Sequence, residues 1–196
     1  MTELYVLHIG LNITEIPSNA IVPVGNQTKL DNLMITGKHH NITVKSNAFQ
    51  HLSQLHEIEF TNTIIKTIEK EAFKLNAKSS FNWIRIRFYR CSLTGETFQN
   101  GSFDGVSKPI HITFFNSDMN YLSEGAFKTV LNNHGLINLN LYESNYNSTL
   151  DCSDCRNYWL IKENKQEQVI NAYCKGGKHK KLFDDDIKSK LSLSCK

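Results

Sequence analysis

Apolar residues in this chain alternate with polar ones in short bursts that restart about every 26 positions. Written from residues 4, 30, 55, 83, 109 and 136, the bursts read LYVLHIGLN, LDNLMITGK, LHEIEFTNT, WIRIRFYRC, PIHITFFNS and LINLNLYES. Large apolar residues fill the fourth and sixth places: Leu7 and Ile9, Leu33 and Ile35, Ile58 and Phe60, Ile86 and Phe88, Ile112 and Phe114, Leu139 and Leu141. Side chains alternate across a strand, so both places point to the same side. A strand this short buries little alone and must stack on copies of itself.

A second marker keeps the same period. A small residue followed by a large apolar one recurs as Ala20-Ile21, Ala48-Phe49, Ala72-Phe73, Ser102-Phe103 and Ala126-Phe127. Unrelated hairpins would alternate without this phase. The pattern predicts a coil in which each turn supplies one parallel strand to a concave face. An irregular or short helical or 3-10 return then closes each turn on the opposite, convex wall.

The ninth place is occupied by Asn12, Lys38, Thr63, Cys91, Ser117 and Ser144. Hydroxyl and thiol groups there can bond backbone in the adjoining turn. Lys38 cannot be buried, which predicts irregular geometry near His39-His40-Asn41. On these residues the chain resembles the leucine-rich-repeat superfamily along essentially its whole length, with a weak asparagine ladder and varied repeat lengths as departures. The resemblance implies an α/β solenoid, a horseshoe of about six parallel strands over residues 1–150.

Of the five cysteines, Cys152, Cys155, Cys174 and Cys195 follow the last repeat, and Cys91 falls on the ladder place as a buried free thiol. The end of a solenoid exposes its core and needs covering. Tyr158, Trp159, Leu160 and Ile161 supply a short amphipathic helix for that task. A zinc half-site is the competing reading of Cys152-x-x-Cys155, but its other half is missing. Sequence alone leaves three disulfide pairings open. Residues 151–196 resemble the cysteine-flanked C-terminal cap of extracellular leucine-rich-repeat proteins, although that cap usually spaces its first cysteines by one residue rather than two. The resemblance implies Cys152–Cys174 and Cys155–Cys195. The CRNYWLIKEN stretch also resembles secreted arthropod proteins similar to the non-catalytic subunit of shrimp luciferase, which implies an accessory role.

Composition narrows function further. The net charge of +3, from 22 basic and 19 acidic residues, is too small for a nucleic-acid binder. No run approaches the ~20 apolar residues that cross a bilayer. No leader opens the chain, so a processed or partial chain is expected, and its first strand, Tyr5 to Ile9, is expected to be covered by missing sequence or a second chain. Sequons at Asn12, Asn26, Asn41, Asn100 and Asn147, with the clustered cysteines, predict secretion and glycosylation. Phosphate-binding glycine loops, nucleophile elbows and HExxH are absent, no cofactor is implied, and an enzyme is not expected. The basic run Lys175 to Lys181 reads as a solvated cap loop beside Asp184-Asp185-Asp186.

A binding face is the remaining expectation. The seventh-place column ends in Tyr89, Phe115 and Tyr142, with Arg85, Arg87 and Arg90 nearby. Aromatic and arginine side chains anchor protein interfaces. The register also sets Arg85 beside Glu57 and Arg87 beside Glu59, so cross-strand charge pairing is the plainer explanation of the arginines. The resulting expectation is a secreted module whose concave face holds a protein partner, a catalytic subunit or a second copy among the candidates. An ectodomain fragment of a Toll-like or adhesion receptor is the alternative.

Overall fold

The structure, a computed structural model, describes residues 5–11, 13–22, 30–37, 41–117, 119–140, 150–176 and 180–195. In chain order the strands are β1 (Val6–Leu11), β2 (Glu15–Ile16), β3 (Asn32–Gly37), β4 (Asn41–Val44), β5 (Glu57–Thr61), β6 (Ile64–Ile68), β7 (Ile84–Tyr89), β8 (Ile110–Phe115), β9 (Leu136–Asn140) and β10 (Val169–Ile170). The helices are α1 (Glu124–Asn132), α2 (Tyr158–Lys162) and α3 (Asp185–Ser194). Successive turns add one strand each to a parallel sheet ordered β1-β3-β5-β7-β8-β9-β10. The chain is a parallel-strand solenoid.

The early returns are more regular than expected. β2, β4 and β6 form a second parallel sheet along the opposite wall. Their inward positions, Ile42 and Val44 on β4 and Ile65 and Ile68 on β6, are buried and β-branched, a composition suited to strand. Later turns replace this wall with a 3-10 turn at Gly95–Thr97 and with α1. Gly135 ends the α1 return. A Cβ there would lie 2.5 Å from the Ile110 carbonyl oxygen and 2.6 Å from that of Val130, so the chain can pass only as glycine.

Between the walls the core is two ladders of rings. Phe60, Phe88 and Phe114 stack along the concave sheet with centroids 5.4 and 5.2 Å apart. Phe49, Phe73 and Phe103 stack along the other wall at 5.7 and 5.2 Å, and Phe127 follows at 5.5 Å. These last four are the large members of the small-large pairs. Phe98 sits between the ladders, edge-on to Phe88 and Phe114. Each such pair adds about 0.5–1.5 kcal/mol beyond the area it buries.

The ninth-place residues form a hydrogen-bonded ladder along the concave sheet. Gly37 N donates to Thr63 Oγ1 at 3.1 Å and Cys91 N to Ser117 Oγ at 3.0 Å. Ser117 Oγ in turn donates to Phe88 O, and Cys91 Sγ to Phe60 O at 3.3 Å. Thr, Cys and Ser thus replace the asparagine of the resembled repeat. Lys38, and His39 and His40 of the predicted irregularity near His39-His40-Asn41, lie outside the described residues, as do Asn12 and Ser144 of the ladder; Asn41 opens β4.

A second backbone ladder escaped the sequence reading. The residue before each of the first four small-large pairs, Asn19, Asn47, Glu71 and Gly101, has positive φ. Its N–H reaches the same place on the next turn: Asn19 N to Asn47 O, Asn47 N to Glu71 O, and Glu71 N to Gly101 O. Asparagine and glycine tolerate this left-handed bend best, and three of the four are one or the other, with Glu71 the exception.

One register expectation is corrected. Ile112 pairs with Ile137 and Phe114 with Leu139, not Ile112 with Leu139. The last repeat is therefore shifted by two residues from a start at 136. Asn140, not Tyr142, lies opposite Phe115. Ile137, Leu139 and Leu141 are apolar at every second place, so a slip of two keeps the same face buried and is invisible to the pattern.

The C-terminal segment continues the solenoid. β10 pairs with β9 as a seventh strand, setting Val169 opposite Ile137. Trp159 and Leu160 of α2 are buried, and Trp159 Nε1 donates to Leu122 O at 2.8 Å. Fully buried Asn157 accepts from Leu122 N and donates to Asn120 O and Asp151 O. Disulfides Cys152–Cys174 and Cys155–Cys195 tie this segment together.

Candidate functional site

The concave sheet sets its outward residues in three columns. The register carries Asn32, Glu57, Arg85, His111 and Leu136 in the first and Met34, Glu59, Arg87, Thr113 and Asn138 in the second. The third holds Thr36, Thr61, Tyr89, Phe115 and Asn140. Neighbouring strands are about 4.8 Å apart, so consecutive positions of a column are direct cross-strand neighbours.

Charge gathers where β5 meets β7. Arg85 Nη1 lies 3.1 Å from Glu57 Oε2, and Arg87 Nη1 lies 3.0 Å from Glu57 Oε1 and 3.5 Å from Glu59 Oε2. Glu59 also accepts from Thr61 Oγ1 at 2.8 Å. The carboxylates are the deeper partners: Glu57 and Glu59 side chains are 16% and 18% exposed, against 34% for Arg85 and 41% for Arg87. The face that solvent meets is therefore guanidinium, held by carboxylates beneath it. Both arginines engage through Nη1 alone, and among the described residues their Nε and Nη2 groups have no acceptor.

Rings flank this cluster on both sides. Tyr89 and Phe115 stack with centroids 4.8 Å apart, both half-buried. The Arg90 guanidinium carbon lies 5.2 Å from the Tyr89 ring centre. On the other side Trp83 stacks on His111 at 5.2 Å. Burial first, and then the charge of Arg85, hold the His111 imidazole below its ordinary pKa.

Arg90 occupies an unusual backbone position. Asn62, Arg90 and Asn116 follow successive strands with positive φ, and Arg90 N donates to Phe115 O at 2.8 Å. Asparagine tolerates this conformation and arginine does so at a cost.

Arg85, Arg87, Tyr89, Arg90 and Phe115 thus come together around two adjacent strands. Tyr142 lies outside the described residues. Trp83, His111 and Thr113 belong to the same surface but were not singled out, although the register that aligned Arg85 with Glu57 also places His111 beside Arg85. Asn41 heads β4 on the second sheet and is exposed, and Asn100 is exposed on a convex return. Asn12, Asn26 and Asn147 lie outside the described residues.

Other chemistry finds little footing. The Cys91 thiol is buried and pushed up to about 12 by desolvation. Among the described residues no group of three or more His, Cys, Asp or Glu could hold a metal ion, and no helix is long and apolar enough to cross a membrane. No protein-family model and no curated protein matches the chain. Among solved structures the chain is similar to human 5T4 (Wnt-activated inhibitory factor 1, trophoblast glycoprotein), at 12% identity and a TM-score of 0.38, over 98% of this chain and 85% of that one. A likeness this slight carries no argument, and the assignment of fold rests on the chain's own register and ladders.

Proposed function

We propose that this chain is an extracellular, non-catalytic module that holds a protein partner on its concave face, with Arg85, Arg87, Tyr89, Arg90 and Phe115 as the contact residues. The observation that carries this reading is the Tyr89–Phe115 stack, laid on the sheet beside two outward guanidinium groups. Rings of that kind contribute large contact area at small entropic cost, and arginine adds directional donors. Two disulfides support an oxidising compartment. The exposed sequons at Asn41 and Asn100 would carry glycan on the convex side and leave the concave face open. An accessory role beside a catalytic subunit, as in the arthropod proteins that the CRNYWLIKEN stretch resembles, is one form of this function. It rests on that stretch alone.

The test is site-specific cross-linking. A photoreactive side chain is placed at Thr113, at the centre of the concave face, or at Lys66 on exposed β6, and the glycosylated protein is incubated with extracellular fluid from its source. A partner cross-linked from Thr113 and not from Lys66, and lost when Tyr89 and Phe115 are both changed to alanine, is the expected result. Capture from Lys66 alone would overturn the reading.

A further inference from the structure

The arrangement of Arg85, Arg87 and Tyr89 points to a particular kind of partner. We infer that the concave face recognises an acidic polypeptide segment in extended conformation, with carboxylates two residues apart followed two residues later by an aromatic side chain. This inference rests on the concave-face reading above and names the chemistry of its partner.

Three observations carry it. The first concerns the arginine donors. A guanidinium presents five N–H groups in a planar fork, and Arg85 and Arg87 each use only Nη1 on the carboxylates below. The Nε–Nη2 edge is left, which is the edge that grips a carboxylate with two parallel hydrogen bonds. Glu57 and Glu59 do not compete for it; they fix each guanidinium in one orientation and so reduce the entropy lost on binding.

The second observation is spacing. Arg85, Arg87 and Tyr89 occupy alternate positions on β7, so they project from one face at intervals of about 6.6 Å. An extended peptide presents every second side chain at the same interval. Two acidic residues with one residue between them meet both forks, and a ring two places on reaches Tyr89, which already stacks on Phe115.

The third is the balance of charge. Two arginines are matched by two glutamates on the neighbouring strand, so the patch is not a broad positive field. A dense polyanion such as a sulfated glycan finds only two guanidinium groups there for its many charges. Two discrete carboxylates on a polypeptide suit it better.

Titration by NMR, observing the arginine Nε–Hε and backbone signals of the full chain, tests the inference. The probes are the synthetic peptide Gly-Glu-Ser-Glu-Ser-Tyr-Gly, the same peptide with both Glu replaced by Gln, and a heparin oligosaccharide. The acidic peptide should shift the Arg85, Arg87 and Tyr89 signals, and the Gln peptide should bind about tenfold more weakly or worse. Arg87→Gln should weaken the acidic peptide by about tenfold, and Arg87→Lys, which keeps the charge and loses the fork, should also weaken it. Folding of each variant is checked by an unchanged spectrum away from β7. Equal binding of the two peptides, no effect of Arg87→Gln, or heparin binding without peptide binding would each overturn the inference. A partner cross-linked at Thr113 through a segment without carboxylates would overturn it too, while leaving concave-face binding intact. Failure of Thr113 to cross-link any partner instead removes the reading beneath it.

Discussion

Changing Ser117 to alanine tests whether the hydroxyl ladder holds the turns in register. Ser117 is 2% exposed. Its Oγ accepts from Cys91 N at 3.0 Å and donates to Phe88 O at 2.9 Å, joining the segments of two neighbouring turns. Alanine removes one oxygen atom and opens no cavity of consequence, so packing is nearly unchanged. What changes is polar. The Cys91 N–H loses its acceptor, at a cost of about 1–3 kcal/mol for a buried orphan, and the bond to Phe88 O is worth about another 1 kcal/mol. The expected loss is about 2–4 kcal/mol, a large share of the total stability of a folded domain. Ser92→Ala, one place beyond the ladder and exposed, is the control and should change stability by less than about 0.5 kcal/mol. Equilibrium unfolding in guanidinium chloride, with disulfides intact and followed by tryptophan fluorescence, measures both. The midpoint should fall for Ser117→Ala with little change in slope. Equal midpoints for the two variants would refute the claim that ninth-place side chains, and not strand packing alone, carry the turn-to-turn connection.

Three further outcomes follow from the same geometry. Cys91, at a pKa of about 12, should have a thiolate fraction of only about one in ten thousand at pH 8, so alkylation followed by mass spectrometry should find it unmodified in native protein and modified in denaturant. Arg90→Asn should raise the unfolding free energy by about 1 kcal/mol, read as a higher midpoint at unchanged slope, because asparagine accepts the left-handed bend that arginine resists; an unchanged or lower midpoint would contradict the strain argument. The His111 pKa is depressed, so on acidification the unfolded chain binds the proton first: its contribution is fully present above pH 6.5 and is lost as pH falls from there through the folded-state value. His111→Asn should remove that part of the pH dependence, as read from melting temperatures across pH 4–8 by calorimetry.

Cys91 and Ser117 announced their ladder role by position alone, because the period of the coil brings every ninth-place residue to one buried row. The paired walls of phenylalanine were legible for the same reason, with the small-large signal marking Phe49, Phe73, Phe103 and Phe127. The pairing of Arg85 with Glu57 and of Arg87 with Glu59 followed from the register of adjacent repeats. That guanidinium lies above carboxylate did not, since it depends on side-chain direction within the face.

Local periodicity dictates the repeating unit of the concave sheet: the side of each strand that is buried and, from β1 through β8, which residues share a row. The slide of the last strand along its neighbour is set by tertiary contact, since apolar residues alternate from 137 onward, a step of two leaves the pattern unchanged, and only pairing with β8 and β10 selects the register. Tertiary structure likewise decided that the early returns become the sheet of β2, β4 and β6, because two- to five-residue strands are stable only when their backbone groups pair with the same place on the next turn.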